Sequence, residues 1–386
     1  MKTRRPCIFA FILGTAVSMV LFLSLQSHAA KGVVPRPPQF VMQKQLPGQD
    51  PYWVYRPTFS PDNRYAAGFL HSSKKIIIWD LKEDRIETQI PQSMHGMPGL
   101  DGYEFSKDGK NLLLIYRDYP LKFIDIFTGR LVRSIPINAD PRKVYDYAFS
   151  PDMKLLALAT TNGIKLWDID KGKQLKIFLS GKAVSGLDML IYRTKKGKLV
   201  RLLAYGLLTM GPVGRYKDVA GIIDIDSGKS RPVLNDVPKD KVNQGKTTFF
   251  WVSFKHGGGY LLVGYSTFPP QVKAGVYLVN TRTGKYLANH ALDQFILTYD
   301  MYYLWKPYYG YLVCTKDMTG NPYRITTEFL VITRKSGLKV IDQTREDKLA
   351  LQSITVSRDQ RWALIAIKRS GADPSRVYLY KIVPKK

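Results

Sequence analysis

The fold of this 386-residue chain is decided by a repeated stretch whose clearest copy reads FSPDMKLLALATTNGIKLWDIDKGKQLKIFL over residues 149–179. Short apolar runs alternate in it with turn residues, which is the pattern of short β-strands joined by tight turns. One run ends at Phe149, and others follow at 155–160, 164–167 and 174–179. We therefore predict four consecutive antiparallel strands in this stretch.

Related stretches precede this copy at regular distances. FSPD at 59–62 is followed by Trp79-Asp80, and FSKD at 105–108 is followed by Ile124-Asp125. The leading Phe recurs after 46 and then 44 residues, at positions 59, 105 and 149. This spacing is close to the roughly 40 to 45 residues of a four-stranded propeller blade.

A second turn pattern extends further along the chain. An Asp, Asn or Thr is followed four positions later by Gly at 125–129, 168–172, 224–228, 280–284 and 333–337. The first residue can hydrogen-bond the backbone two residues on, and the Gly supplies a positive φ. Each occurrence therefore predicts a tight hairpin between two strands.

Taken together, these patterns predict an all-β, seven-bladed β-propeller with four-stranded antiparallel blades. The predicted blades start near Tyr52, Gly102, Tyr145, Gly186, Thr248, Tyr299 and Leu351. The last has only three C-terminal strands, near 351–356, 362–367 and 377–382. The alternating run at 40–44 can supply its missing outer strand, which would close the ring and remove its open edges.

The first thirty residues have the three parts of a secretory signal peptide. Basic residues are followed by an apolar stretch at 7–25 and by the small-residue ending Ser27-His28-Ala29-Ala30. We predict cleavage after Ala29 or Ala30 and export to the periplasm or the extracellular space. The alternative is an uncleaved anchor, because the stretch approaches the length that spans a bilayer. The expected domains are the signal at 1–30, a Pro-rich linker with the closing strand at 31–50, and the propeller at 51–386.

Cleavage would leave one cysteine, Cys314, within the apolar run YLVC at 311–314. A buried, inert thiol is the favoured interpretation. An intermolecular disulfide is the alternative in an oxidising compartment. With no second cysteine, the mature chain cannot form an intrachain disulfide, so the fold must depend on packing.

The chain is strongly basic, with a formal net charge of +27. The positive electrostatic potential of such a chain favours anionic partners, which outside the cytoplasm are lipid head groups, acidic glycans and acidic proteins. Export makes nucleic acid an improbable partner. The alternative is that scattered lysines only keep an exported β-protein soluble and protect its strand edges.

Trp79-Asp80 and Trp167-Asp168 match the third-strand dipeptide of WD40 repeats, and Ile124-Asp125 is a weaker form. The chain resembles the WD40-like propeller superfamily, including its bacterial YVTN and TolB-like members. The Gly-His dipeptide of full WD40 repeats is missing. The resemblance implies a ring-shaped scaffold for other macromolecules, usually without catalysis.

Motifs for catalysis or metal binding are not recognisable. The sequence has no Gly-x-Ser-x-Gly nucleophile elbow, and the few histidines have no zinc spacing. The Gly-rich segment 257–259 occupies a first-turn position, so a hairpin is favoured over a phosphate cradle. We therefore expect no enzyme activity, no cofactor and no catalytic or metal-binding residues.

Long connections between second and third strands are the candidate binding site. They run at 208–219, 266–275, 316–326 and 369–375, whereas the connections near Ser72 and Thr161 are short. Equivalent connections of a propeller emerge on one face, so these four would form a crescent of loops there. The aromatic run at 299–311 is the second candidate, although packing between blades is favoured for it. The predicted partner-binding residues of the crescent are Arg215, Tyr216, Lys217, Phe268, Pro269, Pro270, Tyr323, Arg324, Arg369 and Arg376.

Three hypotheses for function follow. The leading one is a non-enzymatic, exported scaffold that binds a protein or an envelope complex through the crescent. The first alternative is binding of anionic glycan or lipid head groups by the basic surface. The second alternative is an enzyme of the propeller lactonase kind, which would require carboxylates or histidines at the mouth of the central channel.

Overall fold

The computed structural model shows an all-β architecture. It describes residues 39–50, 54–91, 100–116, 120–137, 144–209, 219–234, 248–255, 258–267, 274–292, 295–305, 308–316, 325–333, 337–346, 349–357, 359–369 and 374–383. These residues form 28 strands. None of the chain segments described forms a helix long and apolar enough to cross a membrane.

In the first three blades the strands pair in chain order within antiparallel sheets. After the N-terminal strand β1 (Gln39–Gln45), the first blade consists of β2 (Val54–Phe59), β3 (Tyr65–Leu70), β4 (Lys75–Asp80) and β5 (Arg85–Pro91). The second blade consists of β6 (Leu100–Phe105), β7 (Asn111–Tyr116), β8 (Leu121–Asp125) and β9 (Leu131–Ile135). The third blade consists of β10 (Val144–Phe149), β11 (Leu155–Thr160), β12 (Gly163–Asp168) and β13 (Lys173–Phe178). The four strands predicted from the 149–179 repeat are thereby confirmed.

The next eight strands form one continuous sheet. They are β14 (Val184–Arg193), β15 (Leu199–Thr209), β16 (Ala220–Asp224), β17 (Ser230–Pro232), β18 (Thr248–Lys255), β19 (Tyr260–Thr267), β20 (Ala274–Asn280) and β21 (Tyr286–Leu292). The sheet continues because Leu208 and Thr209 of β15 pair with Phe249 and Thr248 of β18.

Two further sheets complete the described fold. One contains β22 (Phe295–Trp305), β23 (Tyr308–Lys316), β24 (Ile325–Thr333) and β25 (Gly337–Glu346). The closing blade contains β26 (Leu349–Val356), β27 (Trp362–Arg369), β28 (Arg376–Val383) and the N-terminal strand β1 (Gln39–Gln45). β1 pairs antiparallel with β28 from Gln39 opposite Val383 to Gln45 opposite Tyr378. The predicted completion of the last blade by the N-terminal strand is confirmed.

The core lies between successive blades. Buried side chains of the first and second blades form one cluster, which includes Ile78, Phe105 and Leu112. Similar clusters join the second blade to the third and the third blade to β14–β16. Burial of such apolar surface is the main favourable contribution to folding. Each sheet face therefore depends on the neighbouring blade for its stability.

The turn after the first strand is built on a serine and an aspartate two residues later. Ser150 Oγ donates to Asp152 Oδ1 at 2.6 Å and accepts the backbone N–H of Leu155 at 2.9 Å. The same pattern recurs at Ser60 and Ser106. A fourth copy at Ser357 and Asp359, with an O–O distance of 2.6 Å, is less visible in the sequence because Val356 replaces the preceding Phe.

The second predicted turn is confirmed where the structure describes it. Asp125 Oδ1 accepts the backbone N–H groups of Phe127 and Thr128, and Gly129 has a φ of 68°. The Asp168, Asp224 and Asn280 turns follow the same rule, each with its Gly at positive φ. In the first blade Asp84 takes this left-handed position with a φ of 55°. The middle of the 333–337 turn lies outside the described residues.

A repeated contact joins the outer strand of one blade to the next blade. In the part of the chain that the structure describes, five residues of the outer strands donate to backbone carbonyls that lie one or two positions after the Asp or Asn of the second turn in the neighbouring blade. These outer-strand donors and their acceptors are Lys44 to Leu81, Thr88 to Phe127, Arg133 to Ile169 and Asp170, Lys176 to Ile225 and Asp226, and Arg231 to Thr281 and Arg282. Part of the positive charge of this protein therefore has a structural role.

Replacing one outer-strand donor is expected to weaken the fold measurably. Arg133 Nη2 lies 2.6 Å from the carbonyl oxygen of Asp170 and 3.1 Å from that of Ile169. Because Arg133 is exposed, we expect Arg133→Met to lower the free energy of unfolding by only about 1 kcal/mol. Urea unfolding measures this change. Arg130→Met, which removes an exposed arginine from the neighbouring turn, is the control, and an equal loss in both variants would contradict the role of the donor.

Candidate functional site

The predicted crescent corresponds to connections whose loops lie largely outside the described residues. β15 ends at Thr209 and β16 begins at Ala220, and the equivalent connections cover 268–273, 317–324 and 370–375. The first three blades have shorter connections at 71–74, 117–120 and 161–162. Eight of the predicted residues fall outside the described part: Arg215, Tyr216, Lys217, Phe268, Pro269, Pro270, Tyr323 and Arg324.

The remaining two crescent residues flank the last connection. Arg369 ends β27 and Arg376 begins β28. Arg376 Nη1 donates to Gln45 Oε1 at 3.2 Å, so its guanidinium contacts the N-terminal strand. Arg376 thereby contributes to closure of the last blade, which the sequence pattern did not indicate.

The mouth of the central channel contains a cavity of about 470 Å³. It opens among the turns that follow the first strands, on the face opposite the ends of the second strands. Its wall is formed by the innermost strands of the first three blades and by β14 and β26. Its polar lining includes Thr58, Glu104, Lys107, Asp188 and Thr355. Carboxylates and one lysine therefore occupy the place where the lactonase alternative requires acidic groups or histidines.

The two carboxylates of the cavity are held by neighbouring strands. Glu104 Oε1 accepts the hydroxyl of Thr58 at 3.4 Å. Asp188 Oδ2 accepts the backbone N–H of Phe254 at 2.6 Å and the hydroxyl of Ser253 at 3.2 Å. These bonds cross from one group of four strands to the next, so both carboxylates help to hold the innermost strands together.

A third carboxylate, Asp146, lies on the adjacent part of β10. Its Oδ2 accepts the backbone N–H of Leu187 at 2.8 Å. Burial raises the pKa of Asp146 to about 6, and the charge of Arg56 opposes this shift. The guanidinium carbon of Arg56 lies 5.9 Å from the centre of the Tyr147 ring, within cation–π range. The innermost strand of the third blade thus carries a carboxyl group whose pKa is raised by burial.

Across the described ranges, no group of three or more His, Cys, Asp or Glu side chains is arranged to hold a metal ion. The predicted hairpin at the Gly-rich segment is confirmed, since Lys255 pairs with Tyr260 and Gly258 has a φ of 86°. Cys314 lies within β23, and the aromatic run lies within β22 and β23.

Comparison with known proteins identifies the fold but not the activity. No protein-family model and no curated protein matches this chain. The solved structure of U3-55K is similar, with a TM-score of 0.59 at 14% sequence identity over 90% of this chain and 100% of that chain. In total 1287 chains of solved structures match, so the likeness does not narrow the function. The chain therefore has a WD40-like β-propeller fold.

Proposed function

We propose that this protein is an exported, non-enzymatic scaffold that binds a protein or an envelope complex through the crescent of long connections. The observation that carries the proposal is the asymmetry of the connections between second and third strands. They are short in the first three blades and longer in every later part of the chain. Long loops on a rigid β-scaffold are common sites of binding.

The proposal includes a count of seven blades. The eight-stranded sheet consists of two sets of four strands, β14–β17 and β18–β21, and among the described residues strands of the two sets pair with each other at 208–209 and 248–249. Each set has its own second turn, at Asp224 and at Asn280. Counting the sets separately gives seven blades, and the crescent then spans four neighbouring ones.

Residue chemistry also supports partner binding by the crescent. Its loops combine Arg215, Tyr216, Phe268, Tyr323 and Arg324 in the sequence. Aromatic and arginine side chains are enriched among residues that dominate binding energy at protein interfaces. Truncation of several such residues should therefore remove most of the affinity for the partner.

Replacement of Tyr216, Phe268 and Tyr323 together by alanine is expected to abolish capture of the partner. Crosslinking in the native cell, followed by mass spectrometry, identifies the protein attached to the wild type and measures its loss. The thermal unfolding midpoint should remain nearly unchanged, because loop tips contribute little to stability.

The matched control replaces three exposed apolar side chains outside the crescent. Phe127, Leu131 and Leu175 are each 44–48% exposed, and Phe127→Ala, Leu131→Ala and Leu175→Ala should together leave crosslinking intact. Unaltered crosslinking of the crescent variant, or equal loss in the control, would count against the proposal.

A further inference from the structure

The β14–β15 hairpin reaches further than the corresponding hairpin of the third blade. In the third blade, the pairing of β10 with β11 ends where the backbone N–H of Ser150 donates to the carbonyl of Leu155 at 2.9 Å. In β14–β15 three more cross-strand pairs follow the pair of Leu190 and Leu202, ending at Arg193 opposite Leu199. Each strand residue advances about 3.4 Å, so the tip lies about 10 Å further out. The third strand of this set, β16, ends opposite Leu202, and the turn that follows it contacts only the first of these pairs, through the N–H of Ile225 and the carbonyl of Arg201 at 3.0 Å.

The tip of this hairpin is densely basic. Arg193, Lys195, Lys196 and Lys198 are all exposed, and no acidic residue occurs between positions 193 and 198. None of the four forms an ion pair with a residue that the structure describes. The backbone N–H of Thr194 donates to the carbonyl of Lys198, and that of Gly197 donates to the carbonyl of Thr194, both at 2.9 Å, so the cations are held on an ordered support.

Apolar side chains flank the basic tip on both faces of the hairpin. Tyr192 is 37% exposed and Leu199 is 39% exposed. Residues opposite each other in an antiparallel pair share a face. Leu199 lies opposite Arg193 and Tyr192 lies opposite Val200, so the two exposed apolar side chains are on opposite faces. The tip is therefore amphipathic, with cations around the turn and apolar surface directly behind it.

We propose that the β14–β15 hairpin docks on an anionic phospholipid bilayer. Lysine and arginine near such a surface are attracted by its negative potential, while tyrosine and leucine favour the boundary between head groups and acyl chains. A soluble acidic glycan would use the charges but not the apolar flanks. The hairpin tip lies on the face opposite the crescent, so this inference goes beyond the proposed protein binding and leaves the crescent accessible.

Sedimentation with phospholipid vesicles tests the docking. The protein is purified from the cell in its natural form for this experiment. Binding is expected to vesicles of phosphatidylcholine mixed with phosphatidylglycerol and not to phosphatidylcholine alone. Each cation contributes roughly five-fold to partitioning, so Arg193→Gln, Lys195→Gln, Lys196→Gln and Lys198→Gln together should lower it by at least about 100-fold. Circular dichroism should show that this variant keeps its fold, because all four side chains are exposed.

The matched control removes four exposed cations from turns of the first two blades on the same face. Lys82→Gln, Lys107→Gln, Lys110→Gln and Arg130→Gln together remove an equal charge and should leave vesicle binding nearly unchanged. Equal losses in the two variants would overturn the hairpin as the docking element. The crescent variant should bind vesicles like the wild type, which separates failure of this inference from failure of the proposed scaffold function.

Fluorescence of a Tyr192→Trp variant tests contact with the bilayer by an independent route. The difference between its emission and that of the wild type should shift to shorter wavelength with the mixed vesicles, because the indole leaves water. An unshifted difference spectrum would overturn the apolar contact. Binding to a soluble acidic polysaccharide without partition to vesicles would overturn the proposal in favour of a glycan ligand.

Discussion

Asp50→Ala is expected to lower the free energy of unfolding by about 3–5 kcal/mol, because it removes charge-assisted hydrogen bonds from a buried position. Asp50 is 1% exposed. Its Oδ2 accepts the backbone N–H of Ser72, and its Oδ1 accepts the hydroxyl of Ser72, both at 2.8 Å. Its backbone exchanges two hydrogen bonds with Ser375 of the closing blade. One residue thus connects the N-terminal segment to both blades at the seam of the ring.

The surrounding contacts explain why this seam should be sensitive. The indole N–H of Trp79 donates to the carbonyl of Pro47 at 2.6 Å, and Leu46 is 1% exposed. Leu46 and Asp50 are therefore buried like residues of the blades, and the carbonyl of Pro47 is bound to the first blade. Loss of the Asp50 carboxylate leaves the Ser72 N–H with a missing acceptor while the rest of the seam still requires the segment to be ordered.

Urea unfolding of the variant measures the expected loss. Asp170→Ala is the matched control, because the Asp170 side chain is exposed, and we expect its effect to stay within about 0.5 kcal/mol. If Asp50→Ala unfolds at the same urea concentration as this control, the carboxylate is not a significant part of ring closure.

Gly186→Ala is expected to lower the free energy of unfolding by about 3 kcal/mol, at the upper end of the range for overpacking. A Cβ at Gly186 would lie 2.5 Å from the Cα of Trp251 and 2.7 Å from the carbonyl oxygen of Phe250. Both are backbone atoms, so no side-chain rotation relieves the clash. Gly186 pairs with Gly206 across the hairpin, and a Cβ there would also meet the Phe250 backbone.

This close approach holds the two halves of the eight-stranded sheet together. The hydroxyl of Ser185 donates to the carbonyl of Phe250 at 2.7 Å and accepts its N–H at 3.1 Å. A side chain at Gly186 would separate β14 from β18 and break these bonds. We therefore expect the variant to lose contacts between the halves as well as local packing.

Thermal and urea unfolding measure the Gly186 effect. Gly197→Ala serves as the control, because nothing lies within 4 Å of its added Cβ and only its φ of +78° opposes the change. Its cost should be about 1 kcal/mol. Similar losses for the two variants would show that the packing of β18 against β14 does not depend on the absence of a side chain at Gly186.

The blades were predictable from sequence because their signals are local. FSPD-type and Asp-x-x-x-Gly turns specify hairpins through hydrogen bonds that span two to five residues, as between Ser150 and Asp152. The N-terminal closing strand was predictable as well, since an incomplete last blade requires a partner. The partner-binding role of the crescent stays a prediction, because eight of its ten residues lie outside the described part.

Contacts between blades were not predictable in the same way. Arg133 and Lys176 look like ordinary surface cations in the sequence, and only the packed ring places them against carbonyls of the next blade. The channel carboxylates Asp146 and Asp188 likewise acquire their backbone donors from strands about forty or more residues away. Such pairings carry no local pattern.

The sequence by itself determined the repeating hairpins, the four-stranded blades and the need for an N-terminal closing strand, because each depends on periodicity and turn chemistry within a short segment. Only the tertiary structure decided the seam at Asp50, the outer-strand donors and the projection of the β14–β15 tip. These depend on which blade faces which, and that arrangement is fixed by burial of sheet faces between neighbouring blades.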